Sequence, residues 1–379
     1  MFGNSITIFK LLGFEVKVDA SWLILALLIV WTLSVGFFPY AYRGFSKGTY
    51  WWMGVAGALG LFVSIVFHEF FHSIVARKYG LPMKGITLFL FGGVSEMEDQ
   101  PQSAKVEFLM AVVGPLSSVF LGAVFYGISF LIKAGGVALP VGGVTGYLAY
   151  INFLLAAFNL LPAFPLDGGR VLRSALWKYK GNIRWATRIA SQVGATFGLL
   201  LIFLGVLGIF QGNLVGGIWM SLIGLFLRST ARASYQQVML RKVLEGQSVQ
   251  RFMKENPVSV PPSISVGQLV EDYFYKFHYK MFPVAGNGTL EGCITMGELK
   301  DIPREEWDRH AVREYVRQCS PDNTVTPSME AVKALTQMSR TGNDKLMVVE
   351  GSRLVGIVTL KDILQFFSTK MELEEAGKK

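Results

Sequence analysis

Apolar residues fall into six long runs before about residue 228 and into short alternating runs after it. The long runs cover about residues 20–38, 50–75, 106–132, 144–161, 189–210 and 214–227, the last being short. Crossing hydrocarbon takes about 20 residues of helix, so these predict six membrane spans. Residues 14–19, Phe-Glu-Val-Lys-Val-Asp, alternate with period two. That spacing predicts short strands at the membrane surface, with an irregular arm as the alternative. Residues 82–97, PMKGITLFLFGGVSEM, are too short to span and too apolar for a free loop. A strand-like run at 86–91 followed by Gly92 and Gly93 predicts a re-entrant strand or hairpin. Non-helical backbone survives at membrane depth only when buried in protein or lining a wet cavity.

The later part of the chain repeats itself. MFPVAGNGTLEGCITMGEL at 281–299 aligns with KLMVVEGSRLVGIVTLKDI at 345–363, at an offset of 64. Val284 falls on Val348, Leu290 on Leu354, Gly292 on Gly356, Thr295 on Thr359 and Glu298 on Asp362. Each copy reads strand, turn, strand, helix, so the expectation is a pair of α/β units buried against each other.

Composition separates the two parts. Of 379 residues, 51% are hydrophobic and 17% charged, which is too apolar for an ordinary soluble protein. The excess lies in the first part. A net charge of +9 suggests nucleic acid as a partner, but the arrangement argues against it. Arg77, Lys78, Arg170, Arg173, Lys178, Lys180, Arg184, Arg228 and Arg232 flank apolar runs. That is the positive-inside pattern of a multi-pass cell-membrane protein, and it predicts both termini on the cytoplasmic side. The first run is too long for a cleaved signal and reads as a retained span. Two cysteines, Cys293 and Cys319, offer no disulfide framework.

The second span carries His68, Glu69 and His72 in its apolar middle. Ionisable groups in hydrocarbon are costly and mark function. Histidines at i and i+4 share one helical face and suit one metal ion, and a glutamate beside the first suits a general base. A catalytic zinc takes three protein ligands. The remaining histidines, His278 and His310, lie in the soluble part, so the third ligand is sought among carboxylates. Asp167 stands out, because Pro162 and Pro165 break the fourth span before it and Gly168 and Gly169 follow it. Asn159 is a candidate oxyanion donor, with an interhelical hydrogen bond as the alternative. The Gly92–Gly93 strand has free edge groups on which an extended substrate could pair, or it is merely structural. A transporter or metal-binding membrane protein is the alternative from another functional class.

Together, His68-Glu69-Phe70-Phe71-His72, Asn159, Asp167-Gly168 and the intervening Gly92-Gly93 resemble the site-2 protease family of intramembrane zinc metalloproteases. The resemblance implies Zn2+ held by His68, His72 and Asp167, with Glu69 as the catalytic glutamate and Asn159 in substrate or transition-state contacts. It implies a single-span or membrane-tethered protein substrate. The repeat resembles a pair of CBS domains, whose nucleotide-binding turn fits Thr359 and Asp362. The first copy, with Thr295, departs from that pattern at Glu298. ATP or AMP is the implied regulatory ligand, and self-association through the CBS pair is implied as well. A C-terminal CBS pair and no PDZ-like insertion resemble the branch that includes the sporulation-factor processing proteases. The expected architecture is a mainly α-helical polytopic membrane domain over 1–230 with a short re-entrant β element. A linker at 231–245, tandem CBS domains at about 246–305 and 312–370, and a disordered tail at 371–379 complete it.

Overall fold

Helix ends in the computed structural model follow local side-chain chemistry. The structure describes residues 5–81, 83–89, 92–97, 101–135, 140–286, 289–300 and 302–376. Asp19 caps α1 (Ala20–Thr32), which runs through a π-helical turn (Leu33–Phe37) into α2 (Phe38–Ala41). Ser46 and Ser103 cap α3 (Lys47–Lys78) and α4 (Ala104–Ala134), each hydroxyl accepting an orphan backbone N–H. Then come α5 (Pro140–Asn159), the short α6 (Asp167–Lys180), α7 (Ile183–Phe210) and α8 (Leu214–Leu244). Among the described residues, six helical stretches are long and apolar enough to cross a membrane. They are the six expected runs, with α6 lying between the fourth and fifth.

Two boundaries differ from expectation. The last apolar run, read as ending near 227, continues as helix to Leu244, so the expected linker at 231–245 is helical over nearly all of its length. An apolar run marks the length that hydrocarbon demands, not where a helix stops. Ala231, Val238, Met239, Val243 and Leu244 are buried along the continuation. Likewise 371–379, expected as a disordered tail, begins as the end of α13 (Leu360–Ala376). Its Met, Glu and Leu residues are good helix formers.

The chain divides into two compact units, 1–238 and 239–379. In the first, β1 (Ser5–Leu11) and β2 (Phe14–Asp19) form a hairpin whose turn, Leu12 and Gly13, has φ of 48° and 87°. Positive φ at both central residues is the turn that matches strand twist. The alternation of 14–19 buries Val16 and Val18 with Val66 of α3, Ile86 and Leu88, and buries Phe14 edge-on to the Phe70 ring of α3. β2 pairs in parallel with β3 (Met83–Phe89), which pairs antiparallel with β4 (Gly92–Met97). The sheet order is β1-β2-β3-β4, so the surface strands and the apolar hairpin are one sheet. Pro82, Leu90 and Phe91, also part of that reading, lie outside the described residues.

In the second unit the repeat is reproduced down to an irregularity. After β5 (Lys254–Glu255), a helix formed by α9 (Val266–Leu269), a π turn (Val270–Phe274) and α10 (Tyr275–Phe277) precedes β6 (Met281–Gly286) and β7 (Thr289–Thr295). These give way to α11 (Met296–Leu299), β8 (Arg317–Gln318), β9 (Thr324–Val325), α12 (Ala331–Thr341), β10 (Lys345–Glu350), β11 (Arg353–Thr359) and α13. Both hairpins shift register at the matching place, between Val284 and Ala285 and between Val348 and Val349. The copies also exchange strands. β5, ahead of the first copy, pairs with β11 of the second, and β8, ahead of the second, pairs with β7 of the first. The two units expected at 246–305 and 312–370 therefore share strands across their sheets.

Leu290, Cys293 and Met347 are buried together where the copies meet. Burial pushes the Cys293 thiol up to about 11, and the Glu298 carboxylate adds to the rise. Cys319 is exposed. Iodoacetamide at about pH 8 is therefore expected to modify Cys319 well before Cys293, because the thiolate is the reactive form. Equal rates, read by mass spectrometry, would contradict this packing.

Candidate metal centre

His68 and His72 lie one turn apart on α3, each 4% exposed, and Asp167 is 7% exposed. The two Nε2 atoms are 3.1 Å apart, and Asp167 Oδ2 lies 3.1 Å from His68 Nε2 and 3.2 Å from His72 Nε2. Among the described residues these form the one group of three or more His, Cys, Asp or Glu side chains with ligand atoms this close. Bonds of about 2.0–2.1 Å at tetrahedral angles place ligand atoms about 3.3 Å apart, so the triangle suits zinc. The remaining ring nitrogens are held as well. His72 Nδ1 donates to the Met110 carbonyl at 2.6 Å, and His68 Nδ1 is 2.9 Å from Ser118 Oγ. Such outer bonds fix ring orientation and leave Nε2 as the ligand atom.

Both outer partners belong to α4, and a third residue of that helix shapes the site. A Cβ on Gly114 would stand 2.2 Å from His72 Nε2 and 2.7 Å from His68 Nε2. Met110, Gly114 and Ser118 are spaced i, i+4, i+8, which puts them on one helical stripe. Sequence reading missed all three. A glycine or serine in an apolar span carries no signal of its own, and a backbone carbonyl carries none at all.

Asp167 reaches the histidines because α5 ends at Asn159 and α6 starts at Asp167 itself. The segment between folds tightly over the start of α6. A Cβ on Gly168 would lie 2.1 Å from the Leu160 carbonyl oxygen, and one on Gly169 would lie 2.2 Å from Phe164 N. Neither glycine has positive φ, so what they serve is close approach. Arg170 Nη1 stands 4.0 Å from Asp167 Oδ1. Glu69 follows His68 on α3 and is half-buried.

Other expected site residues are placed as follows. Asn159 Nδ2 donates 3.0 Å to Leu155 O in its own helix, so the interhelical alternative is not the bond formed. Gly92 and Gly93 open β4, paired with Phe89 and Leu88, and leave that strand's other edge at the end of the sheet. Thr295 caps α11, where Glu298 accepts from the Thr295 N–H at 2.9 Å and from its hydroxyl. Thr359 donates to Asp362 at 2.5 Å, and Asp362 also meets Lys254 at 3.2 Å. Both threonine–acid pairs therefore already do local work at the start of a helix.

A family model described as peptidase family M50 matches residues 56–142 and 137–204, and a CBS-domain model matches 249–305 and 312–369. The putative zinc metalloprotease Rip3 of Mycobacterium tuberculosis is 32% identical over 95% of this chain and 92% of its own length. Stage IV sporulation protein FB of Bacillus subtilis is 28% identical over 38% of this chain and 48% of its own. The solved site-2 protease from Methanocaldococcus jannaschii matches at 31% identity and a TM-score of 0.44, over 61% of this chain and 94% of that one.

Proposed function

The chain belongs to peptidase family M50, and on that premise we propose that it is a multi-pass intramembrane zinc metalloprotease. The observation that carries this reading is the buried triangle of His68 Nε2, His72 Nε2 and Asp167 Oδ2. A transporter reading does not use Glu69 beside His68, and the family membership displaces it. A zinc ion held there supplies Lewis acidity, acidifying water and polarising a carbonyl. His68, His72 and Asp167 are the ligands. Glu69 takes a proton from the attacking water and returns it to the departing amine, so one peptide bond and one water give an acid and an amine. Asn159 turns its amide from Leu155 towards the oxyanion as substrate enters. An extended substrate segment adds to the free edge of β4 beside Gly92 and Gly93.

The substrate is a single-span or membrane-tethered protein. The basic residues flanking the spans support cytoplasmic termini in a cell membrane, with the product released to the cytoplasm. Thr359 and Asp362, and more weakly Thr295, bind ATP or AMP, and self-association occurs through the CBS pair. Nucleotide regulation requires Lys254 to leave Asp362, so the ligand works through differential affinity for two states.

The test is cleavage of a single-span substrate by the purified full chain. Cleavage is expected to stop on removal of zinc by a chelator, to return with Zn2+, and to change rate across the physiological ATP range. Cleavage that persists without metal would overturn the protease mechanism. A rate indifferent to ATP would overturn the regulation alone.

A further inference from the structure

We propose that Glu107 and Arg173 are positioning residues that set Asp167 against the two histidines. The inference rests on the zinc reading above. Glu107 is 0% exposed and Arg173 is 5% exposed. Arg173 Nε donates to Glu107 Oε1 at 2.6 Å, and its Nη2 contacts the same oxygen. The guanidinium also lies over the Phe164 ring, 4.8 Å from its centroid. One side chain thus joins three parts: α4 through Glu107, α6 through its own backbone, and the segment leading to Asp167 through Phe164.

Stability does not explain such a pair. Burying two charges is costly, and apolar replacements of similar volume are often as stable or better. Here the cost is aggravated, because Glu107 Oε2 is buried with no hydrogen-bond partner. What the pair supplies is register, the best-attested use of buried polar groups. The position of Glu107 says which register. It lies three residues before Met110, seven before Gly114 and eleven before Ser118. Those spacings place it on the same stripe of α4. That stripe holds the His72 ring at Met110 O, the His68 ring at Ser118 Oγ, and α6 at Glu107. α4 is therefore the common reference for all three ligands, and Arg173 transmits it to Asp167.

The experiment compares the full chain in detergent micelles with Arg173→Lys and with the double variant Glu107→Leu/Arg173→Leu. Zinc affinity is read by competition with a chromogenic chelator, and thermal unfolding is read on the metal-free proteins. The double variant leaves no unpaired charge. It is expected to unfold near the parent's temperature yet bind zinc about 10–100-fold more weakly, as for other partners that orient metal ligands. Arg173→Lys keeps the charge but loses the fork geometry, and is expected to fall between the two. Parent-level zinc affinity in a folded double variant would overturn the proposal. Should that variant not fold, Arg173→Lys decides alone, with parent affinity overturning it and a loss of about tenfold supporting it. A parent chain that binds no zinc would instead count against the metalloprotease reading.

Discussion

Gly114→Ala is expected to abolish tight zinc binding while leaving the chain folded. The new methyl would sit 2.2 Å from His72 Nε2, 2.5 Å from His72 Cε1 and 2.7 Å from His68 Nε2. Real contacts of that kind do not occur, so something must move. The rings have little room to yield, since each is held at Nδ1, by Met110 O at 2.6 Å and by Ser118 Oγ at 2.9 Å. If they tilt, those bonds are lost and Nε2 no longer points at its partners. If α4 shifts, the strain is about 1–3 kcal/mol, which a domain tolerates. Either way the ligand triangle opens, and zinc affinity should fall by about 100-fold or more, beyond what loss of one outer bond does. Gly127→Ala is the control, on the same helix with nothing within 4 Å of its added Cβ. There the change should be neutral or stabilise by up to about 1 kcal/mol. Equal zinc affinity in the two variants, measured against a chelator, would sink the argument.

Glu69→Gln should lower the cleavage rate by about 10²–10⁴-fold, or about 3–5 kcal/mol of barrier, with bound zinc unchanged. The amide is nearly isosteric with the carboxylate, and Glu69 is not one of the three ligand atoms, so metal retention separates base from ligand. The matching change at a ligand, Asp167→Asn, should lose metal first and activity as a result. Full activity in Glu69→Gln would remove the proton-transfer role, and loss of zinc in it would make Glu69 a ligand. Cleavage is read on a single-span substrate and metal content by atomic emission.

Much of this site is legible in the chain. His68 and His72 declare themselves because ionisable groups are scarce in an apolar span, and Asp167 because two prolines break the helix before it. The period-two alternation of 14–19 locates a strand, and the offset of 64 locates the CBS copies, because both are regularities along the sequence. What stays hidden depends on which helices touch. Gly114 is one of 41 glycines until α4 is seen against α3. Arg173 counts, in sequence, as one more basic residue on the cytoplasmic flank. In the fold it is buried on Glu107, so it contributes no free charge there. Asn159 shows the converse, since a residue type that suits an oxyanion donor is bonded to its own helix. Reading by type finds what chemistry is available, and packing decides which of it is aimed.

On the proposed zinc site, the distance along the chain between the three ligands governs when the hydrolytic centre can form. Asp167 lies 99 and 95 residues after His68 and His72. At a synthesis rate of about 5–20 residues per second, about 5–20 s separate their appearance on the ribosome. The histidine span is made from the start of that interval, and the stripe of α4 that will orient its rings follows about halfway through it, but the third ligand is still missing. The nascent chain therefore cannot assemble the full ligand set beside partly inserted neighbours, and the hydrolytic centre is completed only once α6 has been laid down.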